Sequence, residues 1–322
     1  MPRTSVILPM FNAASTVERA LRSVLSQSDP DLELVAVDDG STDDTPTLLQ
    51  AVHDGRLRVV THAANQGISA ARNTALRAAV GDFVAFLDAD DAWEPDFLLR
   101  MHAARGDADA AICGRTVVLP DGTERNAHSP RLGSMSGDIA ASRMMTGEIT
   151  PFPWDKVIRR SAFAGVWYPE DVHRFEDQVV GVIALSRTRS VVSIPDALTR
   201  YHVGGGTLTW GRVPKISEAE SALAHLETSL GEWLDDPRRR SAFRVCRTLF
   251  LMLTAQSAMR SGDDAAAAEV LAGCRRRIDL PMLASTLRRR PVFGVGALIL
   301  KTMPGIYRRL FTAYVKRQYA LS

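Results

Sequence analysis

Residues 86–91, Phe86-Leu87-Asp88-Ala89-Asp90-Asp91, decide how the chain is read. They close an apolar run over residues 82–87 with three carboxylates in four positions. The run reads as a buried strand, and strand ends in open α/β sheets are where ligands sit. Adjacent like charges repel, so such a cluster is costly unless a cation or water offsets it. Oxygen-only ligands of this kind suit Mg²⁺ or Mn²⁺. A solvated acidic turn before the next helix has the same sequence. The stretch therefore gains meaning only from its surroundings.

Upstream, short apolar runs at 5–8, 32–37 and 57–61 read as strands. Between them, Ser15-Thr16-Val17-Glu18 reads as a capping box. Val17, Ala20, Leu21, Val24 and Leu25 then recur at helical spacing. A second helix runs toward Val52, and a third spans 68–80 until Gly81 stops it. Strand and helix alternate with short loops, which predicts an α/β fold: a mostly parallel, Rossmann-like sheet covered on both faces. Downstream, a helix is expected over 95–104, a strand over 108–113 and a hairpin turn at Pro120-Asp121-Gly122-Thr123. A weak helix over 136–146 precedes an irregular, aromatic-rich and proline-rich stretch over 150–177. Two further strands are expected at 191–194 and 197–202, then a flexible break at Gly204-Gly205-Gly206. From Pro214 on the pattern is helical. A boundary near Trp210 divides a catalytic domain, 1–210, from a helical C-terminal region, 211–322.

The 322 residues are 46% hydrophobic and 24% charged, as in ordinary globular proteins. The three cysteines, Cys113, Cys246 and Cys274, form no C-x-x-C pair. Neither a disulfide framework nor a zinc knuckle is indicated, and a reducing cytoplasm is the expected setting. No charged-then-apolar leader precedes the first strand, so no signal peptide is expected. No apolar run approaches the roughly 20 residues of a membrane span. The net charge of +2 hides a polarity. Residues 238–322 hold 17 Lys and Arg against 4 Asp and Glu, whereas residues 1–237 hold 22 against 33. An acidic body thus carries a basic appendage.

Three of the strand ends carry polar groups at one sheet edge. The first offers Pro9, Met10, Phe11 and Asn12, the second Asp38 and Asp39, the fourth Asp88, Asp90 and Asp91. No G-x-G-x-x-G follows the first strand and no G-x-x-x-x-G-K-[ST] occurs, so neither a dinucleotide nor a P-loop site is supported. A nucleotide held among carboxylates needs a metal for its phosphates and an acceptor for its base. An Asp such as Asp39 can accept from a uracil or guanine N–H.

With these pieces in order, the sequence resembles the family 2 inverting glycosyltransferases of the GT-A fold. The matching segments are Ser5-Val6-Ile7-Leu8-Pro9-Met10-Phe11-Asn12, Val37-Asp38-Asp39-Gly40-Ser41-Thr42-Asp43, Asn65-Gln66-Gly67-Ile68-Ser69-Ala70-Ala71-Arg72-Asn73 and the opening hexapeptide. Trp154-Asp155-Lys156-Val157 and Phe175-Glu176-Asp177 look like later landmarks of that family. The resemblance covers residues 4–210. It implies transfer of a sugar from a nucleotide diphosphate sugar, by default a UDP-sugar, to a hydroxyl of a glycan, lipid-linked or cell-envelope acceptor, with Mn²⁺ or Mg²⁺ as cofactor. By the same resemblance Asp39 holds the nucleobase, Pro9 and Phe11 line its pocket, and Arg72 faces the diphosphate. Asn65 belongs to the donor site or braces its loop. Asp88 meets the ribose or a metal-bound water, and Asp90 binds the metal. His202 is either a further metal ligand or structural. Asp177 is the general base, with Glu176 as the alternative. Trp154 packs beside the acceptor or in the core, and residues 204–207 are a candidate lid. The Gln-x-x-Arg-Trp of processive synthases is absent, which implies transfer of one or few sugars.

Two other readings compete. A sugar-nucleotide nucleotidyltransferase shares the sheet and the metal, but calls for a Gly-rich, Lys-containing first loop that residues 9–14 lack. A non-catalytic binder of glycans or nucleotide sugars would leave Asp177 far from the donor. In the C-terminal region, Leu249, Met252, Leu253, Gln256 and Met259 form a partly apolar helical stripe, as do Ile306, Leu310, Ala313, Tyr314 and Arg317. One expectation is a helical bundle that packs on the catalytic domain or makes a homo-oligomer contact. The sharper one is peripheral docking on an anionic membrane through residues 288–290, Arg308, Arg309, Lys316 and Arg317. An acidic body without a stacking motif speaks against nucleic acid.

Overall fold

The computed structural model describes residues 2–127, 132–203, 213–261 and 263–319. Its first elements alternate: β1 (Thr4–Met10), α1 (Val17–Leu25), β2 (Leu32–Asp38), α2 (Thr45–Gln50), β3 (Leu57–Thr61), α3 (Ile68–Ala78) and β4 (Phe83–Phe86). They are followed by β5 (Ala92–Trp93), α4 (Phe97–Arg105), β6 (Ala110–Val118), β7 (Glu124–Ala127), β8 (Gly133–Ser136) and α5 (Gly137–Met145). β9 (Lys156–Arg159), α6 (Glu176–Ser186) and β10 (Ser190–His202) complete the sheet-bearing part. Its order is β3-β2-β1-β4-β9-β6-β10-β5, with β7 on β6 and β8 on β10. The block β3-β2-β1-β4 is parallel throughout, and β10 is parallel to β6. β9 is inserted antiparallel between β4 and β6. The fold is the expected α/β arrangement, a central sheet of mostly parallel strands flanked by helices.

The unbroken apolar run of β1 has a direct cause. Val6 and Leu8 join Leu34, Ala36, Ala85 and Leu87 in one core cluster. Ile7 and Val35 point to the opposite face, because side chains alternate along a strand, and they too are fully buried. A strand covered on both faces has no polar side to show.

Several expectations change in detail. The fourth strand ends at Phe86, so Leu87 and Asp88 already lie beyond it. The two strands expected near 191–202 are one strand, β10, with register shifts between Ser193 and Thr199. Pro195 falls inside that irregularity, where its missing N–H leaves no ladder bond unmade. The stretch over 150–177 contains β9, which its aromatics and prolines conceal. The capping box does not form: Thr16 makes no side-chain bond to the helix, and its hydroxyl donates back to the Ala13 carbonyl instead. Residues 204–207 and Trp210 lie outside the described residues.

The chain divides into two compact units. The first comprises Met1–Ala141, Ile149–Glu170 and Glu176–Gly205; the second comprises Ser142–Glu148, Asp171–Phe175 and Gly206–Ser322. The second unit is built from α7 (Ile216–Leu230), α8 (Pro237–Ala258), α9 (Asp264–Arg277), α10 (Leu280–Arg289), α11 (Pro291–Thr302) and α12 (Pro304–Tyr319). Met252 and Ala255 of α8, Cys274 of α9, Met282 of α10, Leu300 of α11 and Tyr307 of α12 share its core. Asp236, Asp263 and Asp279 cap α8, α9 and α10 by accepting from first-turn N–H groups. Each such cap stabilises by about 1 kcal/mol.

Candidate active site

The loops after β1 and β2 are stitched together. Asn12 adopts φ 49°; its N–H donates to Ser41 Oγ at 2.9 Å and its Oδ1 accepts from Thr42 N at 2.8 Å. Ala13 N donates to Thr45 Oγ1 and Ala14 N to Asp43 Oδ2, at 2.9 and 3.0 Å. Gly40 sits at φ +71°, and a Cβ there would lie 2.6 Å from the Ala64 carbonyl carbon, so only glycine fits. Pro9 is buried in β1 opposite Val37, while Phe11 at the loop tip is 45% exposed.

Asp39 is almost fully buried and its carboxylate is engaged from several sides. Oδ1 accepts from His62 Nδ1 at 2.6 Å and Gln66 N at 3.0 Å; Oδ2 accepts from Gly67 N at 2.8 Å. A carboxylate only accepts, so His62 carries a proton on Nδ1. Its Nε2 meets Thr74 Oγ1 at 3.0 Å. Asp39 thus shapes the entry to α3, with one lone pair on Oδ2 left for a ligand. Asn65 Oδ1 assists by accepting from Gly67 N at 3.1 Å. Asp38 accepts from Ser41 N through Oδ1, and its buried Oδ2 has no partner.

Arg72 joins distant segments. Lying on the buried side of α3, it is 1% exposed. Nη2 donates to Asp88 Oδ1 at 2.9 Å, and Nη1 donates to Asp177 Oδ1 at 2.7 Å and Glu176 Oε1 at 3.4 Å. The Tyr168 ring lies beneath it, 5.1 Å from guanidinium carbon to centroid. Asn73, one residue along α3, holds Tyr168 through both its backbone N–H and C=O, at 2.8 and 2.9 Å. In this structure the guanidinium is turned inward onto three carboxylates. Burial alone would lower its pKa, but Asp177, Asp88 and Glu176 reverse the sign and hold it charged. Asp177 responds oppositely. Burial pushes its carboxyl well above the usual range, and Glu176 and Asp88 add to this against the opposing pull of Arg72. Val84, Phe86, Ile158, Phe163 and Val180 line an apolar cavity beside it.

The other side of the strand end is less satisfied. Asp91 is 1% exposed; its Oδ1 accepts from His202 N at 2.8 Å, and its Oδ2 has no partner among the described residues. His202 Nδ1, 4.0 Å from Asp91 Oδ1, is buried and has no hydrogen-bond partner among the described residues either. Burial, then Asp88 and Asp90, push the Asp91 carboxyl up to about 9. The Asp90 carboxyl is raised by burial and by Asp88, and the His202 imidazole is lowered, chiefly by burial. Orphaned carboxylate oxygen and imidazole nitrogen beside an exposed Asp90 are a donor set that fits a divalent cation. Among the described residues no group of three such side chains is already closed around a common point.

The profile of "Glycosyl transferase family 2" matches residues 5–167. The succinoglycan biosynthesis protein ExoO of Rhizobium meliloti is 30% identical over 280 residues, 81% of this chain and 79% of that protein. The chain belongs to glycosyl transferase family 2. A second relative is the Escherichia coli UDP-Glc:alpha-D-GlcNAc-diphosphoundecaprenol beta-1,3-glucosyltransferase WfgD, 42% identical over 89 residues, 28% of this chain and 35% of that one. Among solved structures, S. aureus TarS 1-349 in complex with UDP-GlcNAc superposes with a TM-score of 0.74 at 20% identity, covering 99% of this chain and 93% of that one. That likeness establishes the fold.

In this glycosyltransferase Trp154 packs as the core alternative describes. It is 1% exposed, stacked on Phe152 at 4.8 Å and close to Tyr201 at 5.5 Å between centroids, with a core role. The next two residues form a buried pair: Lys156 Nζ bonds Asp155, the Thr150 carbonyl at 2.9 Å and the Phe152 carbonyl at 2.6 Å. The pair ties the 150–156 turn to the start of β9. Sequence reasoning missed His62 and Tyr168, and named Asp91 only as a member of the strand-end cluster. His62 had a weak signal, since it directly follows the third strand. Tyr168 had none, because it lies in the irregular stretch and acts only through a partner nearly a hundred residues away.

Proposed function

We propose that this family 2 transferase moves a sugar from a nucleoside diphosphate sugar, by default a UDP-sugar, to a hydroxyl of a glycan or lipid-linked acceptor, with inversion at the anomeric carbon. One observation carries the reading: a single guanidinium, Arg72, holds both Asp88 at the strand edge and Asp177 at the head of α6. The base is thereby held at the edge where open α/β sheets bind nucleotides. Phe11 offers its exposed ring to the base, and Asp39 its remaining lone pair to a base N–H. Asp177 takes the acceptor hydroxyl proton while that oxygen attacks the anomeric carbon, and the nucleoside diphosphate departs. A carboxyl with a raised pKa is better matched to this task than an ordinary one. Arg72 is a positioning residue: it orients Asp177 and offsets the like charge of Glu176 beside it.

Asp90, Asp91 and His202 would hold Mn²⁺ or Mg²⁺, with Asp88 alongside through its oxygen not bound to Arg72. Such an ion offsets the charge that develops on a diphosphate leaving group. Calorimetric titration with UDP-sugars, with and without Mn²⁺, tests the donor site. A panel of nucleotide sugars that all fail to bind would overturn the reading.

A further inference from the structure

The second unit exposes an apolar surface on its last three helices. α11, Pro291–Thr302, carries one charged residue, Lys301. Gly294, Ala297 and Leu300 are its buried side. Facing away are Val292, Val295 and Leu298, exposed by 82%, 49% and 39%. α12 repeats the pattern with Ile306 and Leu310, 46% and 55% exposed and one turn apart. α10 contributes Leu280 and Leu287. At Gly294 an added Cβ would lie 2.5 Å from Leu287 Cα, so α10 and α11 meet backbone to backbone there. Single exposed apolar side chains are ordinary; a succession on three consecutive helices marks an interaction surface.

The charge around this surface selects its partner. Residues 281–322 contain eight Lys and Arg and no Asp or Glu. Arg288 and Arg289 reach Ser241 Oγ, Arg289 also reaches the Arg238 carbonyl, and Arg290 reaches the Thr146 carbonyl. These acceptors are neutral, and among the described residues no carboxylate pairs with Arg288, Arg289 or Arg290. Arg308 pairs with Asp264 of α9. A second copy of the same surface would bring like charges together.

We propose that α10–α12 dock the protein on an anionic lipid bilayer, with Val292, Val295, Leu298, Ile306 and Leu310 entering the boundary between headgroups and acyl chains and the arginines meeting lipid phosphate. The twelve residues of α11 rise about 18 Å, short of the bilayer core, and among the described residues no helix is long and apolar enough to cross a membrane. The helices lie in the interface plane, where binding adds apolar burial to electrostatic attraction. The proposal stands independently of sugar transfer.

The test is sedimentation of the full chain with phosphatidylcholine vesicles, with and without phosphatidylglycerol, at low and high salt. Binding is expected only with phosphatidylglycerol and should weaken as salt rises. Arg288→Gln combined with Arg309→Gln should weaken it about fivefold per charge. Val292→Ser, Val295→Ser and Leu298→Ser together should reduce it about tenfold or more, since each apolar side chain buried is a substantial share of the affinity. Unchanged thermal unfolding and UDP-sugar binding in both variants would show that fold and donor site are intact. Equal binding to neutral vesicles, or none to either, overturns the proposal. So does a solution dimer that the triple serine variant dissolves, which would give the surface to a second copy.

Discussion

Two corners of the same strand end handle negative charge in opposite ways. On one side Arg72 gathers Asp88, Asp177 and Glu176, and the protein itself supplies the counter-charge. On the other, Asp91 and His202 keep a buried oxygen and a buried nitrogen without partners among the described residues. Polar groups satisfied from within serve position, because a buried ion pair with several hydrogen bonds holds one geometry. Polar groups left unsatisfied are costly, and that cost is relieved when a ligand of complementary charge arrives. On the proposed function, the first corner carries the chemistry and the second captures the cation.

The contrast can be broken most forcefully at Asp177. Asp177→Asn should lower turnover by about 10² to 10⁴, the usual worth of a general base, while donor binding measured by calorimetry persists. Full retained turnover would move the base to Glu176. Next is Arg72→Met, which strands three carboxylates without their cation. Removing one partner from a buried ion pair costs about 3–5 kcal/mol, to be read from denaturant unfolding; undiminished stability would mean that Arg72 does not organise this corner. The opposite corner is probed by the thermal shift with Mn²⁺. At a hundredfold excess over the dissociation constant, stabilisation should reach about 2.7 kcal/mol, and Asp90→Ala should abolish it. A shift that survives the substitution places the ion elsewhere.

The finest test concerns pH. Asp177 must be deprotonated to act, so activity falls as pH drops through its raised pKa. Glu176→Gln removes a negative neighbour that helps to raise it, so the acidic limb of the kcat/KM profile should move to lower pH. If Glu176 were the base, the same substitution would abolish turnover.

Much of this was legible in the chain. The apolar runs that became β1, β2 and β4 were unmistakable because both faces of those strands are buried. Asp39, Asp88 and Asp90 were visible because strand ends gather at one edge in any parallel sheet. Arg72 was visible as a residue but not as a hub, since helical spacing does not reveal which carboxylates lie a hundred residues away. Trp154 left two readings open in the sequence, beside an acceptor or in the core, and only its stacking on Phe152 and Tyr201 distinguishes them. β9 escaped notice because its place between β4 and β6 depends on antiparallel partners supplied by other segments.

By itself the sequence determined the alternation of strands and helices, the edge where the acidic loops converge, and the charge polarity between the two halves of the chain. All three follow from local pattern and composition, which need no partner to be expressed. The tertiary structure alone decided which carboxylates share Arg72, which polar atoms stay unpaired beside His202, and which apolar side chains on α10, α11 and α12 face outward. Those depend on contacts between residues far apart in the chain, and burial, hydrogen bonding and charge compensation are properties of such contacts.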